Sequence, residues 1–162
     1  MPKALDTPAQ LNLPPAALSL RHGDKGVEVY DVLRSRWIVL TAEEWVRQHF
    51  VHYLMVHLGY RQSLMANEIA ITLNGTSRRC DTVVYSAALQ PLMIVEYKAP
   101  SVAITQRVLD QAARYNVVLR VPYLLLSNGL KHYCFKVDTT PDGSPRCTLV
   151  SIPGYDALTA EE

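Results

Sequence analysis

The sequence predicts an α/β fold, with a mixed β-sheet flanked by helices, a core order α-β-β-β-α-β and extra strands towards both ends. Three observations support this prediction. A capping box at residue 41 opens an amphipathic helix, and residues 82–97 fold about their own midpoint as a β-hairpin. A helix then lies between two apolar runs, which is the pattern of a right-handed βαβ unit with parallel strands.

Composition indicates one globular domain, predicted over residues 23–162, behind a Pro- and Ala-rich N-terminal arm over residues 1–22. The formal net charge is +1, so any nucleic-acid binding must come from a local basic patch. The three cysteines form no CxxC pair and are expected to be reduced thiols. We find no signal-peptide core and no apolar run of membrane-spanning length, which predicts a soluble, cytoplasmic protein without membrane contact.

The first half of the chain contains a hairpin or strand-turn pattern and then a helix. Residues 27–40 are rich in β-formers interrupted by Arg34-Ser35-Arg36. In the capping box, the Thr41 hydroxyl is expected to accept from the N–H of Glu44, whose carboxylate returns to Thr41. The helix is predicted to run to about residue 58 and to end at Gly59.

The second half supplies the remaining strands and the second helix. Residues 68–73 alternate as a strand, and Asn74-Gly75 is a hairpin turn signal. A helix is predicted over residues 105–119. Strands are predicted over residues 123–126 and 132–137, and residues 148–152 are a candidate edge strand.

The chemistry is predicted where the hairpin ends. A register centred between residues 88 and 89 sets Asp81 opposite Glu96, with Cβ atoms roughly 4.5–5.5 Å apart. Lys98 projects from the same face as Glu96 because strand side chains alternate with a period of two. Mg²⁺ usually takes one or two protein carboxylates, and the carbonyl of Tyr97 is a further oxygen. Asp81 and Glu96 are therefore candidate ligands, and Lys98 would orient the water or the phosphate.

Each candidate also has a structural reading. Glu96 and Lys98 could be a strand pair that neutralises itself, although isolated charge at the end of an apolar strand is costly. Glu44 and Glu68 are further candidate ligands, but the capping role of Glu44 is a sufficient explanation for it. Gln111 and Tyr115 share one helix face four residues apart. There Gln111 would bind phosphate or order Lys98, with Tyr115 packed beneath, unless Gln111 is only a polar residue at the edge of the core.

Basic and polar residues near these elements are candidate phosphate contacts or, alternatively, ordinary solvated surface. They are Arg78, Arg79, Arg107, Arg114, Asn128 and Lys131. No GxxxxGK[ST] loop is found, so no ATP site is predicted in this chain.

Asp81, Glu96-Tyr97-Lys98 and Gln111-x-x-x-Tyr115 resemble the core of the PD-(D/E)xK nuclease superfamily, in particular the N-terminal nuclease domain of type I restriction enzyme R subunits. The strings LTAEEWVRQHF, HLGY, IVEYKAP, QAARYN and LLLSNGL also read like that family, so the resemblance covers about residues 11–137. One departure is Cys80, which stands where proline precedes the acid in the superfamily pattern.

The resemblance implies a restriction-endonuclease-like fold and a Mg²⁺- or Mn²⁺-dependent DNA endonuclease. Asp81 and Glu96 would be ligands, Lys98 the catalytic lysine, Gln111 and Tyr115 supporting residues, and Glu44 an acid from the first helix. Partners implied are DNA and motor, specificity or methyltransferase subunits in trans, or a homodimer, because no motor domain is recognised in the sequence. The alternative is a non-catalytic or partner-dependent nucleic-acid-binding module that keeps the fold.

Overall fold

A computed structural model describes residues 9–160. It begins with an antiparallel three-stranded sheet of β1 (Leu20–Gly23), β2 (Gly26–Asp31) and β3 (Arg36–Val39). β2 and β3 confirm the predicted hairpin, while β1 was not predicted and begins inside the proposed arm. Residues 9–19 have no helix or strand, yet Leu11 and Leu13 pack against the core. The rest of the arm, residues 1–8, lies outside the described residues.

A six-stranded mixed sheet forms the centre of the domain. Its strands, in spatial order, are β4 (Met65–Leu73), β5 (Thr76–Tyr85), β6 (Pro91–Tyr97), β7 (Tyr123–Ser127), β8 (His132–Thr139) and β9 (Pro145–Val150). Only the β6–β7 pair is parallel, and the other neighbours are antiparallel. The β4–β5 turn has positive φ at both Asn74 and Gly75, as a type I′ hairpin requires.

Helices cover both faces of this sheet. α1 (Ala42–His57) and the short α3 (Tyr155–Thr159) pack on one face, and α2 (Gln106–Leu119) packs on the other. Thr41 caps α1 by accepting from the N–H of Glu44 at 3.1 Å, and Gly59 follows the helix with a φ of +74°. The predicted order α-β-β-β-α-β is confirmed as α1-β4-β5-β6-α2-β7, and the architecture is compatible with a restriction-endonuclease-like fold.

The faces to which side chains point change midway along β4 and β5. In β4, Met65 packs beneath α1, whereas Ile71 packs beneath α2 although both have odd numbers. The change occurs at Glu68, whose φ is +55°, where the residues on either side stay in register with β5. In β5, Cys80 lies on the α2 side and Val84 on the α1 side. Because of this change, the side chains of β5 before position 81 point to the face of the sheet opposite to the one that a regular alternation predicts.

Within residues 9–160, no helix is both long enough and apolar enough to cross a membrane.

Candidate active site

A cleft of about 250 Å³ lies between the end of β6 and the exposed side of α2. Its lining consists of Arg78, Glu96, Lys98, Val108, Gln111, Ala112 and Tyr115. Four of the five candidate catalytic residues, namely Glu96, Lys98, Gln111 and Tyr115, therefore share one cavity. The strand supplies the charged groups, and the helix supplies the amide and the phenol.

Asp81 stands beside this cleft at the end of the hairpin. The pairs Thr82–Val95, Val83–Ile94 and Val84–Met93 follow the predicted register, and the recorded pairing ends one residue before Asp81 and Glu96. The register shifts between Val84 and Tyr85. The Oδ2 atom of Asp81 accepts from the backbone N–H of Tyr97 at 2.9 Å. This bond holds the carboxylate of Asp81 against the backbone that carries Glu96 and Lys98.

The ring of Tyr97 anchors the motif from the opposite face of the sheet. It is 1% exposed, and its hydroxyl donates to the Oγ1 of Thr82 at 2.9 Å. Thr82 in turn donates to Asn67 at 2.6 Å, and Asn67 donates to Asp31 at 2.9 Å. Burial raises the pKa of Tyr97, so this phenol stays protonated and keeps donating. The chain of hydrogen bonds fixes β6 relative to β5, β4 and the small sheet.

Arg47 ties α1 to the strand that carries Asp81. Its side chain is 4% exposed; Nη1 donates to the carbonyl oxygen of Asp81 at 2.6 Å, and Nη2 donates to Glu68 at 2.5 Å. Burial would lower the pKa of Arg47, but the charge of Glu44 and the hydrogen bond with Glu68 raise it above its ordinary value. Arg47 is thus a permanently charged support behind the candidate site.

Glu44 and Glu68, the two additional candidate ligands, are both neutralised by arginines. Glu44 is buried and accepts from Arg34 at 2.6 Å, and it lies 3.0 Å from Arg47. Its carboxylate is therefore engaged with guanidinium groups, and not with the Thr41 backbone as the capping box predicted. Glu68 accepts from Arg47 and, at 2.9 Å, from Arg79.

Glu43, which the sequence analysis did not select, is a residue of α1 whose pKa depends on the charges of the candidate site. Its pKa is raised, first by burial and then by the negative charge of Asp81, whereas Arg47 and Lys98 act in the opposite direction. Glu43 is therefore near enough to Asp81 and Lys98 for their charges to act on its pKa, whereas its neighbour Glu44 pairs with Arg34. A sequence signal existed in the Glu43-x-x-x-Arg47 spacing, because residues four apart are neighbours on the surface of a helix.

Arg78 enters the cleft through the change of side-chain direction at Glu68. It forms an ion pair with Glu96, and its guanidinium carbon lies 4.9 Å from the centre of the Tyr115 ring. The sequence analysis placed Tyr115 beneath the site, whereas its side chain is 48% exposed and forms a wall of the cleft.

The other candidate nucleic-acid contacts fall into two groups. Arg107, Arg114 and Lys131 are exposed, and Arg114 lines a second cavity of about 470 Å³ that shares Gln111 and Tyr115 with the cleft. Asn128 is buried, and its side chain is used within its own turn and on the carbonyl of Val102. Its amide is therefore a loop-forming group.

A family profile for the type I restriction enzyme R protein N terminus matches residues 42–153, which include every residue of the cleft. The chain belongs to this family. A search of curated proteins finds no match. Membership confirms the resemblance predicted from the motifs and identifies the chain as a nuclease-like domain of a restriction system.

The oxygen donors at this site are few. Among residues 9–160, no group of three or more His, Cys, Asp and Glu side chains is arranged to hold a metal ion. Asp81 and Glu96 supply two carboxylates, and the carbonyl of Tyr97 lies between Glu96 and Lys98 in the chain. Such a set matches hard divalent cations, which bind through oxygen and keep several waters.

Proposed function

We propose that this domain hydrolyses phosphodiester bonds of DNA with the help of Mg²⁺ or Mn²⁺. The observation that carries the proposal is the shared cleft of Glu96, Lys98, Gln111 and Tyr115, with the Asp81 carboxylate bonded to the backbone of the same motif. Phosphoryl transfer requires charge neutralisation and a positioned nucleophile more than covalent catalysis. Carboxylates beside one ammonium group suit that requirement.

Each residue of the site has a role that follows from its functional group. Asp81, Glu96 and the carbonyl of Tyr97 would hold the cation, which when bound neutralises phosphate charge and lowers the pKa of a coordinated water. Lys98 is exposed to the cleft, where its ammonium group would bind a phosphate oxygen or orient the attacking water. Gln111 would donate its amide to the same phosphate.

Nicking of supercoiled DNA with Mg²⁺ or Mn²⁺ tests the proposal. Asp81→Ala and Lys98→Ala should each abolish nicking in the presence of either ion. Asp110→Ala and Lys25→Ala are matched controls, because Asp110 is exposed on α2 and Lys25 is exposed beside the small sheet. Nicking that survives both substitutions at the cleft would overturn the assignment.

One observation favours a second function, a DNA-binding module that does not cut. The carboxylate of Glu96 already carries a positive partner, Arg78, so its charge is balanced without a cation. This function predicts salt-dependent DNA binding without hydrolysis. Calorimetric titration with Mn²⁺ separates the two, because a cation site should bind Mn²⁺ and lose it in Glu96→Ala.

We also infer that the domain acts with motor, specificity or methyltransferase subunits, or as a homodimer. Family membership supports this inference. Sedimentation of the chain alone and with candidate subunits of the same restriction system tests it, and a monomer that binds none of them would contradict it.

A further inference from the structure

We propose that Arg78 is a cation-responsive residue: it holds Glu96 when no divalent cation is bound and turns to the DNA phosphate when a cation takes Glu96. The inference rests on the proposed function, since it concerns the same cleft. It goes further by assigning Arg78 a coupling role between cation binding and DNA binding.

The first step is competition for one carboxylate. The side chains of Arg78 and Glu96 are 18% and 17% exposed, so the ion pair lies partly shielded from water. A divalent cation on Glu96 would meet the guanidinium charge at close range, and like charges within a few ångströms repel strongly in such surroundings. Binding of the cation therefore requires Arg78 to leave or to shift.

The second step concerns where Arg78 can go. Its guanidinium lies over the ring of Tyr115 at 4.9 Å, and Tyr115 also lines the cavity that contains Arg114. An aromatic face supports a guanidinium ion without fixing its direction along the ring plane. Tyr115 thus provides a surface on which the arginine can rotate from the carboxylate towards the open side of the cleft.

The third step concerns a hydrogen-bond donor of Arg78 that has no acceptor. The Nη1 atom of Arg78 is buried and has no hydrogen-bond partner within the described part of the chain. Buried donors without partners are uncommon and costly. A phosphate oxygen in the cleft would satisfy this donor, and guanidinium groups bind phosphate through two parallel N–H groups. The ligand class is therefore a phosphodiester of the substrate strand.

Calorimetry with Mn²⁺ on the full chain provides the first test. Arg78→Met removes the charge but keeps an aliphatic stem against Tyr115, so Mn²⁺ affinity should rise by about tenfold or more. Arg78→Lys keeps a positive charge and should stay near the wild type. Arg114→Met is the matched control, because Arg114 lines the neighbouring cavity and does not line the cleft that contains Glu96, and it should leave Mn²⁺ affinity unchanged.

DNA binding measured by fluorescence anisotropy with Ca²⁺ as the probe cation provides the second test. Ca²⁺ should strengthen DNA binding by the wild type, because it releases Arg78 towards phosphate. With Ca²⁺ present, Arg78→Met should bind DNA more weakly than the wild type and gain less affinity from the ion, because only the cation itself then contacts the phosphate. Arg78→Gln is measured in parallel so that misfolding of one variant leaves the comparison intact.

The outcomes distinguish this inference from the proposed function. If Arg78→Met and Arg78→Gln both bind Mn²⁺ no more tightly than the wild type, the role of Arg78 is wrong. The proposed cation site would still stand in that case, provided that Glu96→Gln abolishes Mn²⁺ binding. If Glu96→Gln leaves Mn²⁺ affinity unchanged in the Arg78→Met background, the cation site itself is wrong and the inference fails with it.

Discussion

Replacing Arg47 with methionine should destabilise the domain more than any exposed charge substitution. Methionine keeps an unbranched apolar stem on α1 and lacks the guanidinium group. Arg47 is 4% exposed and contacts Glu44 at 3.0 Å, Glu68 at 2.5 Å and the carbonyl of Asp81 at 2.6 Å. All three oxygens would lose a charged donor at once.

The expected loss in the free energy of unfolding depends on which other donors these oxygens retain. Glu44 retains Arg34 at 2.6 Å, and Glu68 retains Arg79 at 2.9 Å. The Nε of Arg47 is itself buried without a partner in the described structure, so removing it relieves part of the desolvation cost. The loss should therefore be about 3–5 kcal/mol, as for other broken buried pairs. In a domain of this size, that corresponds to a fall in Tm of roughly 6–20 °C.

Urea denaturation followed by circular dichroism measures this loss. Arg79→Met is the matched control, because its side chain is 73% exposed and pairs with the same Glu68. That control should lose less than about 1 kcal/mol. Broken buried pairs cost several kcal/mol, so a free energy of unfolding for Arg47→Met that lies within about 1 kcal/mol of the wild-type value would refute the reasoning.

The difference in stability between the wild type and Arg47→Met should become smaller at acidic pH. Burial would raise the pKa of Glu68, but hydrogen bonds and charge from Arg47 and Arg79 lower it below its ordinary value of 4.5. The stabilisation is therefore complete above the unfolded pKa and is lost as the pH falls through the folded one. Between pH 7 and pH 3, the gap between the two urea midpoints should shrink once the pH falls below about 4.5, and a constant gap would contradict this linkage.

Three further substitutions test the packing and the turns of the domain. Tyr97→Phe removes the donor to Thr82 and should cost about 0.5–1.5 kcal/mol in urea denaturation, whereas an unchanged midpoint would mean that the bond adds nothing. Gly129 and Gly143 have nearly equal φ values of +84° and +85°, but only a Cβ at Gly129 would meet Leu11, at 2.7 Å. Replacing either with alanine should cost about 1–3 kcal/mol from backbone strain, with the larger loss at Gly129, and equal losses would show that Leu11 moves aside freely.

The hairpin could be predicted because its information is local. The apolar runs on either side of residues 86–91 fix the pairing, and a strand period of two then sets Asp81 against Glu96. The same reasoning gave the βαβ unit, since a helix between two apolar strands crosses over with one hand. The limits of the first helix followed from Thr41 and Gly59, both of which act within one turn.

The partners of the site acids could not be predicted in the same way. Glu44 was assigned to the Thr41 backbone or to the cation, whereas Arg34 of the small sheet and Arg47 bind it. Arg78 was counted only as a surface phosphate contact, although it pairs with Glu96 inside the cleft. Two of these pairs, Arg34 with Glu44 and Arg78 with Glu96, join residues from different elements, so no spacing along one helix or strand reveals them. The contact of Glu44 with Arg47 lies within α1, but its i,i+3 spacing does not show that both side chains are buried.

The sequence by itself determined the fold class, the hairpin register, the two long helices and the motif residues that meet in the cleft. Only the tertiary structure decided which charges neutralise one another: the left-handed backbone at Glu68 reverses the side-chain direction in β4 and β5, and brings Arg78 to Glu96. The physical reason is the range of the forces. Hydrophobic alternation and capping act between near neighbours, whereas a buried charge takes whichever opposite charge the packing of distant elements brings within reach.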